Sequence, residues 1–102
     1  MDLATCAADI AQHLRRGFGP DTAAQRDVLA LAEEVGEFVG AYRRWSGQAR
    51  RTGTATDMHL ELADVVITAY VTAHDLDIDL DSVITTKLAT IYARGWRDGD
   101  RA

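Results

Sequence analysis

Apolar positions along this chain recur every three or four residues, the spacing of one helix face. Leu3, Ala7, Ile10 and Leu14 predict a first helix over about residues 2–16, with Gly17 as its stop and Gly17-Phe18-Gly19-Pro20 as a turn. Val28, Ala32, Val35, Val39 and Tyr42 form the seam of a second helix over about 21–45, capped by Asp21 and ended by Ser46-Gly47. Ala32, Gly36 and Gly40 add a stripe of small residues to it. Each helical glycine costs about 1 kcal/mol relative to alanine, so close approach by another helix is the expected compensation. A polar, basic loop over residues 47–56 follows, containing Arg50 and Arg51.

The third helix, about 57–75 with Thr56 as its cap, has a different pattern. Leu60, Leu62, Val65, Val66, Ile67, Ala69, Tyr70 and Val71 surround its axis. A helix apolar on all sides is buried on all sides, and a chain of 102 residues can hardly bury one by itself. A second copy is therefore expected to cover part of it. The fourth helix is expected over about 79–94, with Gly95 as its stop and a frayed tail after Asp98. Between these two helices, Asp75-Leu76-Asp77-Ile78-Asp79-Leu80-Asp81 begins like a calcium loop. Leu80 stands where such a loop needs Gly, and Thr86 where it needs Glu. The stretch reads as a tight connection whose aspartates favour the next helix N-terminus.

The expected fold class is all-α, a four-helix bundle in one domain over residues 1–102, completed by homodimerisation. The formal net charge of −5 argues against a protein that covers nucleic-acid phosphates. An acidic chain can still bind a small phosphorylated ligand when a divalent cation screens the charge. Cys6 is the only cysteine, which excludes an internal disulfide and reads as a small apolar helix residue. Met1-Asp2-Leu3 does not open a signal peptide, and no apolar run approaches the roughly 20 residues of a membrane span. No membrane partner and a cytoplasmic location are expected.

The four glutamates carry the chemistry. Glu33, Glu34 and Glu37 lie within five residues on the second helix, and Glu61 lies three residues before Asp64 on the apolar third helix. Residues three apart share a helix face, so Glu34 pairs with Glu37 and Glu61 with Asp64. If the two helices pack antiparallel, the carboxylates meet, and inward carboxylates of bundle helices build metal sites. Burying them unpaired costs several kcal/mol per ion, on the order of 10 or more together. Basic residues at matching positions are scarce, because Arg43 and Arg44 lie at the far end of the second helix. Hard oxygen ligands select Mg²⁺, Mn²⁺ or Ca²⁺, and His13, His59 and His74 are too scattered for zinc. Lys87, the only lysine among ten arginines, and Arg94 are seven apart on the fourth helix and share a face. Near metal-bound phosphates, such cations stabilise departing charge.

Glu33-Glu34-Val35-Gly36-Glu37, then 23 residues, then Glu61-Leu62-Ala63-Asp64 resembles the EExxE…ExxD signature of the MazG-like, all-α nucleoside triphosphate pyrophosphohydrolases. The likeness spans roughly residues 25–97 and includes the apolar Val65-Val66-Ile67 and the Lys-then-Arg fourth helix. It implies a MazG-like bundle completed by a homodimer or a dimer of dimers. It implies Mg²⁺, with Mn²⁺ as an alternative, held by Glu34, Glu37, Glu61 and Asp64. Glu33 would support a second metal or orient the attacking water, so Glu33, Glu34 and Glu37 form the implied catalytic set. Lys87 and Arg94 would bind substrate. The implied reaction is attack of water on the α-phosphorus of a canonical or damaged nucleotide, releasing pyrophosphate, as in nucleotide-pool housecleaning.

The sequence departs from the pattern at Ile91, where many relatives carry Asn, and this bears on sugar or phosphate contacts. Tyr92 points about 100° away from that position on a helix. Phe18, Tyr42, Trp45 and Trp96 are available to stack on a base but equally to pack in a core or interface. Two other readings stay open. One is the related phosphoribosyl-ATP pyrophosphohydrolase activity of histidine synthesis; the other is a non-catalytic helical dimerisation module that binds a cation or nucleotide.

Overall fold

The structure, a computed structural model, describes residues 1–95; the expected frayed tail and Trp96 lie outside them. Its elements are four helices, α1 (Leu3–Phe18), α2 (Ala23–Trp45), α3 (Ala55–Asp75) and α4 (Leu80–Arg94), with no strand among the described residues. No helix among them is long and apolar enough to cross a membrane.

The helix ends follow local chemistry, with shifts of a few residues from the sequence reading. Asp2 caps α1 by accepting from the Ala4 N–H at 3.1 Å. The helix runs past Gly17 to stop at Gly19, whose φ of 84° suits a residue without Cβ. α2 starts after Thr22 rather than at Asp21, and no side chain caps it. For α3 the cap is Thr54, which accepts from the Asp57 N–H at 3.1 Å, so Thr56 lies inside the helix. Asp79 caps α4 by accepting from the Ser82 N–H at 3.2 Å, as the aspartate-rich connection suggested. Asp81 accepts from the Tyr70 hydroxyl at 2.5 Å. These aspartates are committed to holding the α3–α4 corner.

α2 and α3 form the main hairpin, and α1 packs on α3. The contacts of α2 with α3 and the loop before it run in opposite directions along the sequence: Arg44 meets Gly53, Glu34 meets Glu61 and Asp64, and Asp27 meets Asp75. That order makes the hairpin antiparallel. Ala7 and Ala11 of α1 are fully buried against Val71, with Leu14, Ile67 and Tyr70 around them. Ala23, Ala41 and Ala73 supply the rest of the buried apolar residues. Alanines allow helix axes to approach closely but bury little surface each, and among the described residues no large side chain is fully buried.

The packing corrects two expectations for α2 and leaves α3 partly uncovered in one copy. The seam Val28, Ala32, Val35, Val39, Tyr42 is exposed in the single chain. The face of α2 turned to α3 carries Ala23, Asp27, Glu34, Phe38 and Ala41 instead. Gly36 has nothing within 4 Å of where a Cβ would stand, so the small-residue stripe does not seat another helix of this chain. α3 is buried only at Val71, Thr72 and Ala73, while Leu60 is 61% exposed and Leu62 and Val66 are also exposed. α2 has two apolar faces and α3 is apolar all round, so a three-helix layer can cover only part of each.

α4 leaves the layer. It does not pack along α1, α2 or α3, and Val83, Ile84, Leu88 and Tyr92 are exposed. The radius of gyration is 17.0 Å, against about 13 Å for a compact chain of this length. A closed four-helix bundle is therefore not formed by one copy.

Candidate metal centre

The hairpin register brings the acids together. Glu34 on α2 and Glu61 and Asp64 on α3 each present a carboxylate oxygen, and the three oxygens lie within 4.8 Å of one another. Glu34 and Glu61 are half-buried and Asp64 is exposed, so the group opens on one side to solvent. One oxygen of Glu34, Oε2, and one of Glu61, also Oε2, are buried with no hydrogen-bond partner. Such orphaned carboxylate oxygens are rare in folded proteins, because each loses its hydration without replacement.

Glu37, one turn from Glu34, stands close enough for its carboxylate to act on both Glu34 and Glu61. It is exposed and lies outside the tightest group. The electrostatics follow from this crowding. Burial first, and then the charges of Glu37, Asp64 and Glu61, hold the Glu34 carboxyl above its ordinary value. Glu61 is raised likewise by burial and by Glu37 and Asp64, against an opposing pull from Arg44.

Arg44 was placed at the far end of α2 by the sequence reading, yet it acts on Glu61. Its side chain lies between Gly40 and Gly53; a Cβ on Gly53 would stand 3.0 Å from the Arg44 Cβ. The loop therefore needs Gly53 to lie against this arginine. The signal was available in the spacing: Glu37 and Arg44 are seven apart and share a face.

Other predicted residues go elsewhere. Glu33 is exposed on a cleft of about 340 Å³ lined by Leu14, Phe18, Arg26, Asp27, Leu29 and Ala30, away from the three-acid group. Lys87 and Arg94 are exposed on α4, which this chain does not fold against the acids. Ile91 is half-buried. Phe18 takes the Arg26 guanidinium over its ring at 5.4 Å, and Tyr42 and Trp45 pack against each other with centroids 6.0 Å apart. His13 sits among Asp9 and Arg16 on the surface of α1, and His59 is exposed, so neither joins the acids.

Sequence reasoning missed a second acid pair. Asp27 on α2 is only 4% exposed and meets Asp75 at the end of α3, whose side chain is 2% exposed. Arg15 of α1 donates to Asp75 Oδ1 through Nη2 at 2.7 Å and Nε at 3.1 Å. Burial, then the hydrogen bond and charge of Asp75, push Asp27 up to about 7. Burial also acts to raise Asp75, but the hydrogen bonds from Asp27 and Arg15 outweigh it and leave its pKa lowered. The only hint was that 27 and 34 are seven apart on the same α2 face.

No family model, no curated protein and no solved structure matches the chain.

Proposed function

We propose that the chain is a Mg²⁺-dependent nucleoside triphosphate pyrophosphohydrolase of MazG-like type, with Glu34, Glu61 and Asp64 as its metal ligands. The observation that carries this reading is the convergence of three carboxylates, two with buried and unpartnered oxygens. That donor set is all hard oxygen, on two facing helices, and open on one side, which fits a divalent cation that keeps water or substrate ligands. When bound, the cation supplies charge neutralisation at phosphate and a water of lowered pKa.

The protein's own groups do the rest. Glu37, against both Glu34 and Glu61, holds their carboxylates in register and is the fourth acid available to the site. Arg44 is a cation of the same chain whose charge acts on Glu61, and in this reading it helps to attract a phosphate. In the reaction a water oxygen joins the α-phosphorus while the bond to the bridging oxygen of the β-phosphate breaks, giving a monophosphate and pyrophosphate.

The working unit is a homodimer in this reading. Large apolar side chains stand exposed on α2, α3 and α4 alike, the kind of surface a partner covers. A second copy covering them would close the bundle and offer Lys87 and Arg94 a route to the acids that their own chain lacks.

The test is pyrophosphate release from a panel of NTPs, dNTPs and phosphoribosyl-ATP with Mg²⁺. Wild type should turn over at least one of them, and Glu37→Gln and Asp64→Asn should lose most of that rate. Turnover unaffected by either change removes the mechanism. A second reading, a non-catalytic cation-binding dimer module, is favoured by the separation of Lys87 and Arg94 from the acids within the chain; binding without turnover across the panel would establish it.

A further inference from the structure

The buried acid pair at the other end of the hairpin has a chemistry of its own. Asp27 and Asp75 bring two carboxyls together in a place where both side chains are almost fully buried. Like charges so placed do not both ionise, and a proton between them converts repulsion into a hydrogen bond. Arg15 donates twice to Asp75 Oδ1, which fixes Asp75 as the ionised member and Asp27 as the one that carries the proton. The pair ties α2 to α3, and Arg15 ties α1 to both.

The charged groups around the pair are Arg15 from α1, Arg26 beside Asp27 on α2, Asp75 with neighbouring His74 from α3, and Glu33 of α2, exposed on the cleft that Arg26 and Asp27 line. Arg26 is the unusual one. Its Nη1 donates to the Gly19 carbonyl at 3.0 Å and reaches the Phe18 carbonyl at 3.4 Å and Thr22 Oγ1 at 3.5 Å. Its guanidinium lies over the Phe18 ring. It thus holds the C-terminal end of α1, where a cation is favoured by the helix dipole. Its other nitrogen, Nη2, is buried with no partner, and so is Asp27 Oδ2. Arg26 thus keeps an unused donor, and the acid next to it in the chain lines the same cleft.

We propose that Asp27 and Arg26 form a proton-operated latch on the α1–α2 turn. While Asp27 holds its proton and bonds Asp75, Arg26 stays on the Phe18 and Gly19 carbonyls and clamps the turn. When Asp27 loses the proton, its carboxylate becomes the stronger partner for Nη2, and Arg26 turns to it, releasing the end of α1 and the Phe18 ring. A bond from the guanidinium to the Phe18 or Gly19 carbonyl joins a charge to a neutral acceptor, whereas a bond to ionised Asp27 joins two opposite charges in a largely buried place, where attraction is stronger, and this sets the direction of the exchange. The step moves one proton to solvent and breaks no covalent bond. Burial and Asp75 place its midpoint near neutral pH, at about 7.

The test is an NMR titration of the full metal-free chain, following the Asp27 side-chain carboxyl, the Arg26 Nε–H and the Phe18 ring protons. All three should move together with one midpoint near neutral pH. In Asp27→Asn the Arg26 and Phe18 signals should stay still over the same range. In Arg26→Gln, which keeps the acid pair, the Asp27 midpoint should rise, because a positive neighbour that favours the carboxylate has gone. Titration of Asp27 in the ordinary carboxylate range overturns the latch. So do static Arg26 and Phe18 signals while Asp27 titrates, or an Asp27 midpoint indifferent to Arg26→Gln.

Discussion

Replacing Asp27 by Asn should make the protein more stable at alkaline pH, which is unusual for a change at a buried residue. The folded chain holds Asp27 at about 7, up from 3.8. A group whose folded pKa is raised binds more protons in the native than in the unfolded state. Stability therefore falls as pH rises from the lower value through the higher one, and stays low above it. At about 1.36 kcal/mol per pKa unit the rise corresponds to roughly 4 kcal/mol. A bond from Arg26 to the ionised carboxylate offsets roughly 2 kcal/mol of it, leaving about 2 kcal/mol. Asn keeps the shape, donates to Asp75 at every pH and cannot ionise. The difference in unfolding free energy should be small near pH 4 and grow to about 2 kcal/mol in favour of the variant near pH 8. The assay is urea unfolding followed by circular dichroism, with chelator, at one fixed protein concentration. The shift should read as about 1 M urea in midpoint with an unchanged slope. Asp75 has the opposite sign: its lowered pKa contributes stability above the ordinary carboxylate range that is lost as pH falls through the folded value. A difference curve flat with pH, or a variant less stable at pH 8, would refute the shared proton.

Three further outcomes follow from the acid group and the exposed faces. Mg²⁺ at about 100 times its Kd should stabilise the chain by about 2.7 kcal/mol, roughly 10–20 °C in Tm; chelator should reverse this, and Glu34→Gln or Asp64→Asn should abolish it in differential scanning fluorimetry. Arg44→Gln removes a cation that acts on Glu61, so titration calorimetry without nucleotide should show Mg²⁺ bound more tightly, by roughly 3- to 10-fold. Leu60→Asp, at a site 61% exposed in one copy, should leave helicity intact but convert a sedimenting dimer to monomer and reduce pyrophosphate release in parallel.

Apolar patterning and turn residues already indicated four helices, with breaks expected at Gly17, at Ser46-Gly47 and in the Asp75–Asp81 stretch, and the described chain has four, the first running on to Gly19. Helical periodicity also paired Glu34 with Glu37 and Glu61 with Asp64, since spacing within a helix fixes which residues share a face. Which faces meet was a tertiary decision. The sequence pointed to Val28, Ala32, Val35, Val39 and Tyr42 as the seam of α2, and only packing showed that the face carrying Asp27 and Glu34 turns inward while Val28, Val35 and Val39 stay outside. The hairpin register then chose Glu34, Glu61 and Asp64 as the tight group, put Glu33 on another cleft and brought Arg44 back to Glu61. Asp27 and Asp75 lie 48 residues apart, and no local pattern links them. Such pairs arise only when separate helices dock, because burial and like-charge contact are properties of the assembled layer rather than of either segment.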